Sequence, residues 1–163
     1  MVISDKIRKA INKQINAEMY SAYLYLAMAA HFETKNLLGA ANWFKIQFKE
    51  ENTHAMKFYE YVLERGGKVE LADIEAPKSE WKSLQEAFAE VYAHELKVTG
   101  LINDLMKLAK SDNDYATESL LKWFVDEQIE EEANASIILN KLKMIKDSAN
   151  GILMLDHELG ERK

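Results

Sequence analysis

No cysteine occurs among the 163 residues. Disulfides, zinc–thiolate clusters and thiol nucleophiles are therefore excluded, and any metal must be held by oxygen or imidazole. The chain has one proline, Pro77, and six glycines. Such scarcity favours long uninterrupted helices over strands joined by tight turns. Basic residues are in deficit, with a formal net charge of −6, so no cationic face for nucleic acid is indicated. No apolar run reaches the length of a membrane span. Met1–Ala10 is charged and lacks the hydrophobic centre of a secretion signal. A soluble cytoplasmic protein with neither a nucleic-acid nor a membrane partner is expected. The remainder, 48% hydrophobic and 29% charged, is ordinary for a globular protein, and the length suits a single domain over 1–163.

Apolar periodicity predicts an all-α fold. Ser4 or Asp5 to about Glu33 carries the stripe Ile11, Ile15, Glu18, Ala22, Tyr25, Ala29, Phe32, whose steps alternate four and three as in a bundle seam. Asn42 to Arg65 repeats the pattern with Phe44, Phe48, Glu51, Ala55, Phe58 and Val62, and Gly66 suits its C-cap. A break at Thr34–Leu38 joins these two helices as antiparallel neighbours. After Gly66-Gly67 a loop of about fifteen residues ends near Pro77 and Ser79, long for a compact domain. Extended, it spans ~50 Å, more than the ~40 Å of a helix of about 27 residues. The third helix is therefore expected to run parallel to the second. Ser83 and Glu86 form a capping-box pattern at its start. Its stripe is Leu84, Phe88, Val91, Glu95, Val98, Ile102, Leu105, Ala109. Ser111–Asp114 reads as a turn. The fourth stripe is Leu121, Phe124, Gln128, Glu131, Ala135, Ile138, Leu142, Ile145. Ser148–Gly151 reads as a break, and Ile152–Leu159 as a short fifth helix. Its residues Ile152, Leu153, Leu155 and Leu159 form an apolar face expected to pack against symmetry mates rather than on the bundle.

Each long helix thus places a carboxylate in a core slot. Glu18 to Glu51 and Glu95 to Gln128 are both 33 residues apart; Glu18 to His54 and Glu95 to Glu131 are both 36. Each half presents one Glu on its first helix and an i, i+3 polar pair on its second, and residues so spaced share a helix face. A single Glu in a seam is more simply a paired core group or one that reaches solvent. Four at matched spacing, with no Lys or Arg in the stripes, would gather like charge in low dielectric unless cations bind there. Carboxylates with one imidazole form a hard, oxygen-dominated set that suits iron or manganese better than copper.

Tyr25 lies two turns from Glu18 and reads as a core aromatic whose hydroxyl hydrogen-bonds a ligand, in preference to a redox role. Trp43, Trp81 and Trp123 read as packing residues, and His31, His94 and His157 as surface or boundary residues. Glu127 and Glu130 beside Gln128 and Glu131, with Glu50 beside Glu51, are either a solvated acidic face or an adjoining third metal site.

At Glu18 with Tyr25, Glu51-Asn52-Thr53-His54, Glu95 and Glu127-Gln128-Ile129-Glu130-Glu131 the chain resembles the non-haem bacterial-type ferritins, over essentially its whole length. The resemblance implies a ferritin-like four-helix bundle with a long crossover between the second and third helices and a short C-terminal fifth helix. It implies that Glu18, Glu51 and His54 hold one iron, and that Glu51, Glu95 and Glu131 hold a second, with Gln128 nearby and Glu51 bridging. Glu50, Glu127, Glu130 and Glu131 match the family's third iron site. The implied activity is oxidation of Fe(II) by O2 or H2O2, with ferric oxyhydroxide stored inside a shell of twenty-four subunits. Haem-containing bacterioferritins have Met where Asn52 stands and His where Glu131 stands, so no haem is expected. DNA-protecting mini-ferritins build their sites between subunits and lack the C-terminal helix. Two rivals are a di-iron oxidase or peroxidase of small oligomeric size, and a bundle in which metal is only a staple.

Overall fold

A computed structural model describes all residues, Met1–Lys163, as five helices without a strand: α1 (Asp5–Thr34), α2 (Leu38–Glu64), α3 (Leu84–Ser111), α4 (Tyr115–Ile145) and α5 (Ala149–Gly160). The helix starts are local. Ser4 Oγ accepts from Ile7 N at 3.3 Å and Asp114 Oδ1 from Thr117 N at 3.0 Å. Ser83 Oγ accepts from Glu86 N at 3.0 Å, while the Glu86 carboxylate returns to Lys82 N at 2.6 Å, one residue ahead of the cap. Each such cap satisfies backbone donors that the first helical turn leaves free. Gly66, at φ 68, ends α2 in the left-handed region that a side chain disfavours.

The crossover from 65 to 83 is tied along the length of α1. Arg8 and Asn12 donate to the Lys68 carbonyl at 3.3 and 3.1 Å, and Asn16 to the Asp73 carbonyl at 3.0 Å. At the far end Trp81 packs edge-on against His31, with ring centroids 5.6 Å apart. The chain therefore returns from the end of α2 to its beginning, and α3 starts parallel to it. Arg65 grips Asp114 through both nitrogens, at 3.1 and 3.0 Å, pinning the start of α4 to the end of α2 and making α4 antiparallel to it. His31 is buried beneath Trp81, where its sequence context indicated a surface or boundary residue; the crossover covers it.

α5 corrects a second expectation. Leu155 and Leu159 are buried on this chain's own bundle, Ile152 is half-buried, and only Leu153 of the four faces outward. Ser148 is an N-cap, its Oγ accepting from Gly151 N at 3.1 Å, so the supposed break is the first turn of α5. The helix docks against the start of α2. A Cβ on Gly39 would lie 1.7 Å from the Asp156 carbonyl oxygen, so only glycine permits this crossing. Asp156 Oδ1 accepts from Ala40 N at 2.8 Å. This cap from α5 accounts for α2 beginning at Leu38, ahead of its apolar pattern, although Leu37 supplies no side-chain cap.

The core is split. One apolar cluster of 20 buried residues includes Phe32, Phe44, Trp43, Trp81 and Phe88 and receives α5. The other, of 12, includes Ile7, Ile11, Phe58, Ile102 and Phe124 at the opposite end. Between them in sequence and space lie Glu18, Glu51, His54, Glu95, Gln128 and Glu131, all buried. No helix is long and apolar enough to cross a membrane.

Candidate metal centre

The polar layer exists because each long helix interrupts its apolar stripe at mid-length. Glu18, Glu51 and Glu95 are at most 3% exposed, Glu131 is 7% exposed, and their donor atoms converge. Glu18, Glu51 and His54 have ligand atoms within 4.8 Å of one another; so do Glu51, Glu95 and Glu131, and so do His54, Glu127 and Glu131. Glu51 belongs to both fully buried groups.

Hydrogen bonds orient these groups. Gln14 Nε2 donates to Glu18 Oε1 at 2.8 Å. Gln47 Nε2 donates to Glu51 Oε1 at 3.3 Å and, across the bundle, to Glu131 Oε2 at 2.6 Å. His54 Nδ1 and Glu51 Oε2 are 3.2 Å apart, and His54 Nε2 lies 3.7 Å from Glu127 Oε2. Tyr25 donates its hydroxyl to Glu95 Oε1. Gln128 Nε2 lies 3.2 Å from each of Glu95 Oε2, the Glu95 carbonyl and Thr99 Oγ1.

Glu18 Oε2 is the one buried side-chain polar atom with no hydrogen-bond partner. An acceptor left bare in low dielectric is costly, and a bound cation removes the cost. The electrostatics agree. Burial, then Glu51, pushes the Glu18 carboxyl well above its ordinary range. Burial, then Glu95 and Glu131, does the same to Glu51. Burial also raises Glu95, against the opposing bonds from Tyr25 and Gln128. Glu131 is pushed up to about 7 by burial and then by Glu95. The Tyr25 phenol is raised by burial and then by the Glu95 charge, so it remains a proton donor. Without cations the layer holds protons; with them it can ionise.

The remaining sequence candidates divide. Glu127 joins the layer through His54 and Glu131. Glu130 is exposed and belongs to none of the three groups. Glu50 is in none of the three groups; its Oε2 accepts from Arg162 Nη2 at 2.6 Å, and its charge adds to the upward push on Glu131. Trp43 and Trp81 are buried packing residues. Trp123 is half-buried, its ring centroid 5.4 Å from that of His54. His94 is a boundary residue 2.7 Å from Ser21 Oγ, its imidazole lowered to about 4 by burial and then by Lys97. His157 is exposed. Gln14, Gln47 and Thr99 escaped the sequence reading. The two glutamines had a signal: each stands four residues before a seam Glu, and they are themselves 33 apart. Gln47 is buried where the stripe led to Phe48, which is half-buried.

Residues 8–145 match the family model described as ferritin-like domain. The chain is 39% identical over 161 residues to the bacterial non-heme ferritin of Staphylococcus aureus (strain MRSA252), covering 99% of this chain and 97% of that one. It is 40% identical to the bacterial non-heme ferritin of Bacteroides fragilis (strain 638R), covering 99% and 100%. Among solved structures it superposes on the open pore ferritin of the hyperthermophilic archaeon Archaeoglobus fulgidus with a TM-score of 0.98 and 48% identity, covering 99% of each chain. With a bundle of this topology, a buried carboxylate layer at its middle and matches that run nearly end to end, the chain belongs to the ferritin family.

Proposed function

We propose that this protein is a ferroxidase and an iron store, a single ferritin-like di-iron domain over residues 1–163 that works in the cytoplasm as a shell of twenty-four subunits. Fe(II) is the substrate. Glu18, Glu51 and His54 receive one ion; Glu51, Glu95 and Glu131 receive the other, with Gln128 beside them. The observation that carries this reading is the sharing of Glu51 between two fully buried ligand groups, which suits two metals a carboxylate apart.

Each Fe(II) gives up one electron; O2 takes the pair with two protons and becomes H2O2, or H2O2 takes the pair with two protons and becomes two molecules of water. The chain's part is to hold both metals dry and adjacent, so that two electrons leave together and no free superoxide forms. The carboxylates release their protons as cations enter, and their charge then favours the ferric product. Tyr25 and Gln128 hold Glu95, and Gln14 and Gln47 hold Glu18, Glu51 and Glu131 in orientation. A single imidazole among oxygen donors leaves iron exchangeable, as transit into a ferric oxyhydroxide store requires. Glu50, Glu127, Glu130 and Glu131 form an adjoining third site. Haem has no part.

Size-exclusion chromatography joined to aerobic Fe(II) loading tests the reading. A large shell that oxidises and retains far more iron than its ligand sites can hold supports it. Rapid oxidation by a small oligomer without mineral would favour an oxidase. Metal binding without oxidation would reduce the centre to a staple.

A further inference from the structure

Arg162, which follows α5, reaches back onto α2. Its Nη1 donates to the Trp43 carbonyl at 3.3 Å and to Gln47 Oε1 at 2.9 Å, and its Nη2 donates to Glu50 at 2.6 Å. The guanidinium lies 4.6 Å from the centroid of the Trp43 ring. Asn42 Nδ2 holds the Arg162 carbonyl at 3.1 Å. With Asp156 on Ala40 N and the Gly39 crossing, the arginine is fixed at its backbone and at its tip.

Gln47 stands between this arginine and the carboxylate layer. A carboxamide has an accepting end and a donating end. Here the oxygen faces Arg162, and the nitrogen faces Glu131 and Glu51. Turned over, the amide would set its NH2 against a guanidinium and its oxygen against two carboxylates, losing every one of these bonds. A carboxyl that holds a proton can face either end of an amide, whereas a guanidinium only donates, so in the metal-free protein Arg162 is the neighbour that fixes the amide's direction. Glu51 and Glu131 lie on different helices, so the direction of the Gln47 amide sets how two carboxylates from opposite sides of the layer are held.

We propose that Arg162 is a positioning residue of the metal centre, acting through Gln47: docking of α5 fixes the amide that orients Glu51 and Glu131. The proposal rests on the two-metal reading above. It gives α5 a role inside its own subunit, since a helix packed more than one turn from the carboxylates reaches them through one arginine and one amide.

The test is a double-mutant cycle read by Co(II) titration of the assembled, metal-free protein, followed by calorimetry and visible absorption. Loss of a partner that orients a metal ligand typically weakens metal binding by ~10–100-fold. Arg162→Ala and Gln47→Ala are each expected to weaken Co(II) binding by ~10-fold and to alter the Co(II) spectrum. The double variant is expected to be no weaker than either single one, because the two residues act in series. Arg162→Lys keeps the charge but not the planar fork and should fall between wild type and Arg162→Ala. If Arg162→Ala loses α5 on circular dichroism, the lysine variant carries the test. Unchanged affinity and spectrum in the variants, or effects that multiply in the double variant, would overturn the proposal. Fewer than two Co(II) bound per wild-type subunit would instead overturn the two-metal reading.

Discussion

In the half of the centre built by α1 and α2, Gln14 and Gln47 approach Glu18 and Glu51 from one turn earlier, yet Glu18 Oε2 meets no donor at all. In the half built by α3 and α4, both oxygens of Glu95 are engaged, one by Tyr25 and the other by Gln128. The sequence spacing is the same in both halves, but the second helix of the first half carries Glu51 and His54 where the other carries Gln128 and Glu131. A repeated scaffold thus offers two unlike positions: one with an imidazole and a bare carboxylate oxygen, and one of carboxylates already held in place. Glu51 joins them.

The largest effect is expected where the halves meet. Glu51→Ala removes a ligand from both positions and should slow Fe(II) oxidation by more than ~100-fold, beyond the usual loss for a partner behind a ligand. Stopped-flow absorbance measures it. The variant should still fold, because deleting a buried carboxyl relieves its desolvation when metal is absent. An oxidation rate like that of the wild type would dissolve the link between the halves.

His54→Ala sharpens the contrast. It should reduce binding chiefly at the α1/α2 position and leave one metal per subunit bound, whereas Glu95→Ala should spare that position and empty the other. Anaerobic metal titration of each variant separates the cases. Equal loss at both positions in both variants would mean that the halves are not distinct.

A smaller effect follows from Glu131, whose carboxyl is pushed up to about 7 from an ordinary 4.5. Below 4.5 it is protonated in the folded and unfolded chain alike, and stability does not depend on it. Between 4.5 and 7 the unfolded chain has lost that proton while the folded one keeps it, so the metal-free protein loses stability as pH rises. The loss is complete above 7. Melting temperatures of metal-free protein should therefore fall across this window, more shallowly in Glu131→Gln. A bound divalent cation should flatten the curve, because metal binding expels the proton.

Much of this arrangement was legible in the chain. The alternating steps of four and three placed all four long helices, and the matched spacings brought Glu18, Glu51, His54, Glu95 and Glu131 to one level, because helical period alone decides which residues share a face. What escaped depends on contacts distant in sequence. α2 begins at Leu38 because Asp156 caps it from another helix, and His31 is buried because Trp81 arrives on the crossover. The apolar face of α5 is shared between its own bundle, at Leu155 and Leu159, and the outside, at Leu153 and Met154. Periodicity shows that a face is apolar and is silent about what covers it. Glu50 was grouped with the acidic cluster because it flanks Glu51, and its pairing with Arg162 across the fold was not legible in the sequence.

The smallest effect is expected at Glu130, which is exposed and apart from the three ligand groups. Glu130→Ala should alter stability by no more than about 0.5 kcal/mol and leave the first two metals bound and rapidly oxidised. As a member of the third site, it should change the oxygen consumed per iron or the speed of later turnovers, which simultaneous oxygen-uptake and oxidation measurements detect. Unchanged stoichiometry and repeat turnover would return Glu127 and Glu130 to a solvated face.

The most direct measurement is anomalous diffraction at the iron edge from crystals soaked anaerobically in Fe(II). Two peaks per subunit are expected, one among Glu18, Glu51 and His54 and the other among Glu51, Glu95 and Glu131, with the Glu51 carboxylate between them. A single peak, or iron bound without Glu51, would contradict the shared dinuclear centre.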